Sequence, residues 1–352
     1  MKILFCGDMV LSSEFKCSDE FKELCNSHEF RIANLEAPFD VVGKSITKAG
    51  PSIKSNHDFI GSISNLFNVF TLANNHIMDF GEEGLNYTKE ILSANSIKFV
   101  GAGKTIEDAH EPCSLNDKVF VFSICENEFG AATRNKSGTA TVDNMRIIYN
   151  KIKQYKSRGK VVLCYHGGSE IIPIPQKYIR DQFNLFLDFG VDLVIGHHPH
   201  VVQGHEDRIF YSLGNFFFIS KSFDEYKNSD WSLIVSYDTE TNKIKTHYTK
   251  IINGIVEMLD KPEEMNVLNS YLNSKSYEGL SDAISYVLYK KWYPQTSPDR
   301  IPVVLHHIRC NAHRNNVTKG LSIDMAETKL TDIDYEIKIK GFDGIYIERR
   351  QI

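Results

Sequence analysis

The sequence contains no long uncharged apolar run and no leader-like N-terminus. A membrane-spanning helix needs roughly 18 or more consecutive apolar residues, and no stretch of the chain supplies them. The apolar stretch Ile3 to Cys6 ends at Gly7 and Asp8, so it is too short for the apolar region of a signal peptide. We therefore expect a soluble, cytoplasmic protein with no membrane span.

Paired cysteine spacings and an excess of basic residues are also absent. The chain has 7 cysteines, an odd number, and none of them form a Cys-x-x-Cys pair. This pattern predicts free thiols in a reducing compartment. Lys and Arg total 40 against 45 Asp and Glu, a formal net charge of -5. This balance argues against a nucleic-acid-binding surface, while 42% hydrophobic residues in a chain of 352 suffice for a core.

Short apolar runs that resemble buried strands alternate with segments of helical periodicity. The runs are Lys2 to Cys6, Val69 to Leu72, Val119 to Ile124, Val161 to Tyr165, Leu193 to Ile195 and Arg208 to Ser212. Helices are predicted for Glu82 to Ser93, Ile147 to Tyr155 and Leu280 to Trp292. This alternation predicts an α/β fold in which helices cover a sheet. After about Tyr237 the chain becomes more charged, which predicts a main domain of residues 1–240 and a smaller C-terminal region of residues 241–352.

Polar side chains follow several of these strand-like runs. Asp8 follows the first run, Asn74 to His76 the second, His166 the run that ends at Tyr165, and His197 to His200 the run that ends at Ile195. In an open α/β sheet, ligands and catalytic side chains collect just past the carboxyl ends of the strands. We therefore expect these residues to lie together at one edge of the sheet.

The residues at this edge are those that divalent metals prefer. Zn²⁺, Mn²⁺ and Fe take imidazole nitrogen and carboxylate oxygen, and a pair of ions needs a bridging carboxylate and several terminal ligands. The candidate ligands are Asp8, Glu36, Asn75, His166, His198 and His200. Taken singly, each of these residues has an ordinary structural explanation. An Asp at the position of Asp8 is also typical of a turn or a helix cap, and Asn and Glu residues are common in loops. The run Gly196 to His200 is the exception, because three histidines in four positions after a strand serve packing poorly.

The motifs in order resemble those of a known family. They are Gly7-Asp8, Asn34-Leu35-Glu36, Asn74-Asn75-His76 with Asp79 and Gly81, His166-x-Gly-x-Glu170, Gly196-His-His-Pro-His-Val201 with Gln203, and Tyr211-Ser-Leu-Gly-Asn-Phe216. This series is similar to the CapA family of capsule synthesis and poly-γ-glutamate biosynthesis proteins, which is related to calcineurin-like metallophosphoesterases. The match extends from Met1 to about Phe218.

The resemblance implies a four-layered α/β/β/α sandwich with a site for two divalent ions (Mn, Fe or Zn) at the strand ends. It assigns Asp8 and His200 to one metal, Asn75, His166 and His198 to the other, and Glu36 to the bridge between them. His76 and Glu170 are the catalytic candidates, and the residues expected to support the ligands are Asn34, Asp79, His197 and Asn215.

The chain departs from the wider superfamily at its first motif. The Asp-x-His that opens many metallophosphoesterases is here Gly7-Asp8-Met9-Val10, so that one usual histidine ligand is missing, and Glu36 stands where an Asp is common. Occupancy by a single ion is therefore an alternative. His198 is favoured over His197 as a ligand because its spacing to His200 matches the His-x-His of the superfamily.

Three functions follow from the resemblance. The first is hydrolysis of a phosphoester by a metal-activated hydroxide, with His76 stabilising charge or protonating the leaving oxygen. The second keeps the metals and hydrolyses a γ-glutamyl or peptide amide. The third is a non-catalytic capsule-assembly factor with a structural metal site. The expected partner is an anionic small molecule or polymer and not a nucleic acid, and the oligomeric state stays open.

A second histidine cluster lies near the C-terminus. His306, Cys310 and His313 would share one helical face. Because no fourth ligand or paired cysteine motif accompanies them, we interpret this cluster as structural.

Overall fold

The computed structural model describes residues 1–40, 43–220, 223, 229–292, 310–325, 335–340 and 344–349. The described part of the chain is an α/β protein with two large mixed sheets and two small two-stranded sheets. Its strands are β1 (Lys2–Met9), β2 (Lys16–Cys17), β3 (Phe30–Leu35), β4 (Val69–Thr71), β5 (Lys98–Val100), β6 (Ala102–Gly103), β7 (Cys113–Leu115), β8 (Val119–Cys125), β9 (Gly138–Thr139), β10 (Lys160–His166), β11 (Leu193–His197), β12 (His205–Glu206), β13 (Ile209–Phe210), β14 (Asn215–Phe217), β15 (Trp231–Asp238), β16 (Lys243–Ile252), β17 (Ile255–Leu259), β18 (Tyr335–Lys340) and β19 (Gly344–Arg349).

The helices lie between the strands and after them. They are α1 (Asp19–Asn26), α2 (Gly81–Ala94), α3 (Ile106–Ala109), α4 (Met145–Lys156), α5 (Lys177–Phe189), α6 (Glu264–Leu272), α7 (Tyr277–Trp292) and α8 (Asn311–Met325), with 3₁₀ turns at His57–Ser62 and Val142–Asn144. The predicted α/β class is confirmed, and the three predicted helices fall within α2, α4 and α7.

Local sequence explains where these helices begin and end. The hydroxyl of Ser18 accepts a hydrogen bond from the amide of Phe21 at 3.4 Å and so caps α1. Helix α5 ends at Phe189 and is capped by Gly190, whose φ of 109° is a left-handed value that L side chains adopt only with strain.

The first large sheet is built around β1. Its strand order is β2-β17-β16-β15-β1-β3-β4-β5, and β14 also pairs with β1. Strand β1 runs parallel to β3 and antiparallel to β15. Strands β15 and β16 pair from Trp231↔Lys250 to Asp238↔Lys243. The boundary predicted at residue 240 therefore falls inside a β-hairpin, and the sheet continues to Leu259.

The second large sheet has the order β12-β13-β11-β10-β8-β7. Strands β8, β10 and β11 are parallel neighbours, and their last residues lie side by side: His166 pairs with Cys125 on one side and with His197 on the other. The carboxyl ends of these strands thus meet at one edge of the sheet.

Three apolar cores hold the layers together. One joins the facing sides of the two sheets and includes Phe5 and Ile195. A second packs Phe21 of α1 and Leu85 of α2 against the other face of the first sheet. The third packs α4 and α5 against the outer face of the second sheet, with Phe183 fully buried. The two sheets therefore lie between two sets of helices.

Helices α7 and α8 pack against the rest of the described chain. Leu280 and Ile284 of α7 belong to the core between the sheets. The buried carboxylate of Glu126 accepts hydrogen bonds from the amide of Ala312 at 2.9 Å and the thiol of Cys310 at 3.1 Å, at the start of α8. His306 of the predicted C-terminal cluster lies outside the described residues. Among the described helices, no segment has the length and apolarity to cross a membrane.

Candidate metal centre

The predicted ligands come from strand ends of both sheets. Asp8, near the end of β1, is in register with Asn34 of β3 and Asn215 of β14. Glu36 directly follows β3, and its amide donates to the carbonyl of Met9 at 3.0 Å. Parallel pairing thus places these side chains at one end of the first sheet.

The loop after β4 is fixed by Asn74. Its side-chain oxygen accepts from the amides of His76 at 3.1 Å and Ile77 at 2.8 Å, and its amide donates to the carbonyl of Leu35 at 2.8 Å. These bonds hold a tight turn in which Asn75 and His76 are both buried.

One group of ligand atoms converges on His166. Its Nε2 lies 3.0 Å from Oδ1 of Asn75, 3.1 Å from Nδ1 of His198 and 3.9 Å from Oε1 of Glu36. The ligand atoms of Glu36, His166 and His198 all lie within 4.8 Å of one another. Two imidazoles, one amide oxygen and one carboxylate around a single point suit a borderline divalent metal.

A second group shares the same carboxylate. Asp8, Glu36 and His200 also have ligand atoms within 4.8 Å of one another. Nε2 of His200 is 3.5 Å from Oε1 of Glu36, while its Nδ1 is 2.9 Å from Oδ1 of Asn215. The Asn215 contact leaves Nε2 as the nitrogen that faces the carboxylate.

The surroundings of Glu36 indicate whether a metal ion fits this site. It is fully buried, and neither of its carboxylate oxygens has a hydrogen-bond partner. Burial, followed by the charge of Asp8, raises the pKa of Glu36 well above its usual value. A buried carboxylate without a partner is costly, and a cation between two sets of nitrogen and oxygen ligands removes that cost. The donor set therefore fits metal ions, and these buried His, Glu and Asp groups could hold them.

The protonation states of the surrounding groups also suit metal binding. Burial lowers the pKa of His166 well below its usual value and that of His198 to about 4. For Asp8, burial raises the pKa, but the hydrogen bond and charge of His197 outweigh burial and lower it. Neutral imidazoles and an ionised carboxylate are the forms that ligate metals.

The backbone of the histidine run is strained. His198 and His200 have φ values of 98° and 59°, in the left-handed region that non-glycine residues rarely adopt. Such conformations cost about 1–3 kcal/mol each and collect at functional sites. Both residues, which flank Pro199 in the sequence, have a ligand atom within 4.8 Å of the shared carboxylate.

The residues predicted to support the ligands lie beside them. Oδ1 of Asp8 accepts from the Asn34 amide at 2.9 Å and is 3.0 Å from Nδ1 of His197. Oδ2 of Asp79 is 2.8 Å from Nδ1 of His76. His197 belongs to neither ligand group.

The two predicted catalytic residues are placed differently. His76 is buried next to the centre, and burial lowers its pKa although Asp79 acts in the opposite direction. Glu170 is exposed, but its negative charge contributes to the raised pKa of Glu36 and of Glu128. Its carboxylate therefore acts on the centre from the solvent side.

Two residues near the centre were missed in the sequence. Glu128 is buried, with Oε1 3.6 Å from Nε2 of His198, and burial raises its pKa to about 8. The sequence feature that could have indicated Glu128 is its position shortly after the predicted strand that ends at Ile124. Lys48 forms an ion pair with Asp79, yet its loop carries no strand or helix pattern that would have indicated this contact.

Sequence comparison with a family profile and with individual proteins relates this chain to capsule synthesis proteins. The profile of the family described as "Bacterial capsule synthesis protein PGA_cap" matches residues 2–220. The chain is 32% identical over 163 residues to the "PGA biosynthesis protein CapA" of Bacillus subtilis, covering 43% of each chain. It is 32% identical over 166 residues to the "Capsule biosynthesis protein CapA" of Bacillus anthracis, covering 43% of this chain and 40% of that one. The alignments thus span less than half the length of these two relatives.

Similarity to solved structures is weaker. A crystal structure of TT1561 from Thermus thermophilus aligns with 70% of this chain and 97% of its own, at a TM-score of 0.40 and 11% identity. No conclusion about function follows from a likeness of that size.

Proposed function

The chain belongs to the bacterial capsule synthesis protein family, and from that premise we propose that it is a metal-dependent hydrolase acting on a phosphoester. The observation that carries the proposal is the carboxylate of Glu36, which is fully buried, lacks a hydrogen-bond partner and is shared by two groups of ligands. The order of layers supports a related proposal, that the fold is an α/β/β/α sandwich of the metallophosphoesterase type.

In this proposal the centre holds two divalent ions of Mn, Fe or Zn. Asp8, Glu36 and His200 would hold one ion, and Glu36, Asn75, His166 and His198 the other. Such ions supply Lewis acidity and activate water as a nucleophile at neutral pH. The protein's own part is to keep His166 and His198 neutral and Asp8 ionised, and to orient the ligands and shield them from bulk water.

His76 would act on the substrate and not on the metals. It lies outside both ligand groups, and Asp79 at 2.8 Å from Nδ1 holds the ring in place. A histidine so placed can stabilise charge on the transferred group or give a proton to the leaving oxygen. Glu170 is exposed, its charge raises the pKa of Glu36 and of His198, and it would assist proton movement beside the centre.

Hydrolysis of an aryl phosphate in the presence of Mn²⁺ tests this proposal. We expect activity that falls by about 10²–10⁴-fold in His76→Ala. His57→Ala is the matched control, because His57 is a partly exposed histidine that pairs with Asp40 at 2.8 Å and lies outside both ligand groups. Loss of activity in both variants, or in neither, contradicts the assignment of His76.

The name of one relative favours a second candidate. The Bacillus subtilis protein is a "PGA biosynthesis protein", and the residues of poly-γ-glutamate are joined by γ-glutamyl amides. The same centre would then act on a γ-glutamyl or peptide amide. Hydrolysis of γ-glutamyl amides without hydrolysis of phosphoesters supports this candidate. Stoichiometric metal binding with neither activity supports a non-catalytic capsule-assembly factor.

A further inference from the structure

Lys48 is a buried lysine at the edge of the candidate centre. It lies in the loop of residues 43–56 before the 3₁₀ turn His57–Ser62, and this loop contributes no residue to either ligand group. Its side chain is only 2% exposed. Burying an ammonium group is costly unless it is paired and hydrogen-bonded, so its partners indicate what it does.

Those partners are groups of the centre. Nζ of Lys48 forms an ion pair with Oδ1 of Asp79 and lies 3.0 Å from Nδ1 of His76. The ammonium also lies 5.1 Å from the ring centroid of Phe129, a distance at which a cation is attracted to an aromatic face. Phe129 directly follows Glu128, whose carboxylate lies 3.6 Å from His198.

Asp79 connects Lys48, its loop and His76. The second carboxylate oxygen of Asp79 accepts the amide of Ile53 at 2.8 Å and is 2.8 Å from Nδ1 of His76. The backbone carbonyl of Asp79 accepts the amide of Ile46 at 2.8 Å. The loop is therefore attached to Asp79 on both sides of Lys48, which fixes where the ammonium lies.

We propose that Lys48 is a positioning residue, whose ammonium holds the Asp79 carboxylate against His76 and so fixes the orientation of the His76 ring. Without the ammonium, Asp79 would keep its bond to Ile53 but would have no cation to compensate its buried charge. The catalytic consequence rests on the proposed hydrolase function, while the effect on the His76 ring does not.

The kinetic test compares Lys48→Met and Lys48→Arg with the wild type on an aryl phosphate with Mn²⁺. Removing a residue that orients a group of a metal site typically lowers activity by about 10–100-fold. We expect Lys48→Met to lower kcat by that factor with KM unchanged, and Lys48→Arg to recover part of the loss because it keeps the charge. Lys54→Met, at an exposed lysine of the same segment, is the matched control and should match the wild type. A rise in KM with kcat unchanged overturns the positioning role, because it would mean that Lys48 binds substrate directly.

A spectroscopic test separates this inference from the hydrolase proposal. In metal-free protein labelled at histidine with ¹⁵N, we expect Lys48→Met to shift the ring signals of His76, whereas Lys54→Met leaves them in place. This result supports the positioning role of Lys48 even if the wild type has no hydrolase activity. Absence of hydrolase activity in the wild type would contradict only the proposed function. Unchanged His76 signals in Lys48→Met overturn the inference. Lys48→Gln, which keeps a polar end, serves as the second variant should Lys48→Met fail to fold.

Discussion

At the residue scale, His197 and His198 are neighbours with different surroundings. Nδ1 of His198 faces His166 at 3.1 Å, whereas Nδ1 of His197 faces Oδ1 of Asp8 at 3.0 Å. Both rings are buried, so exposure does not separate them. The difference is that His198 belongs to a ligand group, while His197 orients a carboxylate of the other group.

This division predicts different metal affinities for two alanine variants. His198→Ala removes a ligand and should abolish binding of one ion. His197→Ala should keep both ions but lower affinity by about 10–100-fold, because Asp8 loses the ring that orients it. Isothermal titration calorimetry with Zn²⁺ measures the stoichiometry and the affinity of metal binding in both variants. Equal losses in the two variants would contradict the division of roles.

The candidate ligands could be singled out in the sequence because each lies at or just after the end of a strand, in a short motif. Asp8, His166 and His198 are examples, and the register of the parallel strands then brings them together. Lys48 was not predictable, because its contact with Asp79 bridges residues in separate loops and depends on how the segment after β3 folds back. No local periodicity encodes such a contact.

At the element scale, β11 approaches the strand-like segment after β13 very closely. A Cβ added at Gly196 would overlap the carbonyl oxygen of Tyr211, so only glycine fits at this position. The amide of Leu213 donates to the carbonyl of Gly196 at 3.1 Å. This close approach sets the position from which the histidine run begins.

Gly196→Ala should therefore destabilise the fold by about 1–3 kcal/mol, the usual cost of forcing an extra methyl group into a packed region. Urea unfolding followed by circular dichroism measures the change. Gly61→Ala is the control, because a Cβ there meets no atom within 4 Å. If the two variants unfold at the same urea concentration, the close approach at Gly196 does not constrain the strand.

Strands β16 and β17 belong to the first sheet, but the sequence pattern did not predict this. Strand β16 is exposed or half-buried at every position except Tyr248 and Thr249, and its lysines give the segment a charged composition that indicated a separate region. A strand with one solvated face has this composition. Its pairing with β15 could not be derived locally, although the hairpin joins it directly to the first sheet.

At the scale of the whole molecule, several histidines away from the centre are buried or half-buried. Burial is the largest cause that lowers the pKa of His28, His110, His205 and His247. In the unfolded chain these groups take up protons below about pH 6.5. Because these histidines then bind more protons in the unfolded than in the folded state, their contribution to the free energy of unfolding falls as the pH drops through that value.

We therefore compare each variant with the wild type for the change in melting temperature between pH 7.5 and pH 5.5, measured with a chelator present. His110→Gln should lose less stability on acidification than the wild type, because it lacks one buried group that resists protonation. His57→Gln should lose more, because the hydrogen bond to Asp40 raises the pKa of His57 and so favours the folded state at low pH. A His110→Gln variant that loses as much stability as the wild type contradicts this expectation.

The proposed role of Glu36 as a metal ligand shared by two ions is tested most directly by the metal content per chain. The protein is equilibrated with Mn²⁺ or Zn²⁺, freed of unbound metal and measured by elemental analysis beside Glu36→Gln, which keeps the side chain's shape. We predict about two ions per wild-type chain, as in two-metal hydrolytic sites, and a clear loss in Glu36→Gln. A folded wild-type protein that binds no metal, or a Glu36→Gln variant that binds as much as the wild type, would contradict the claim.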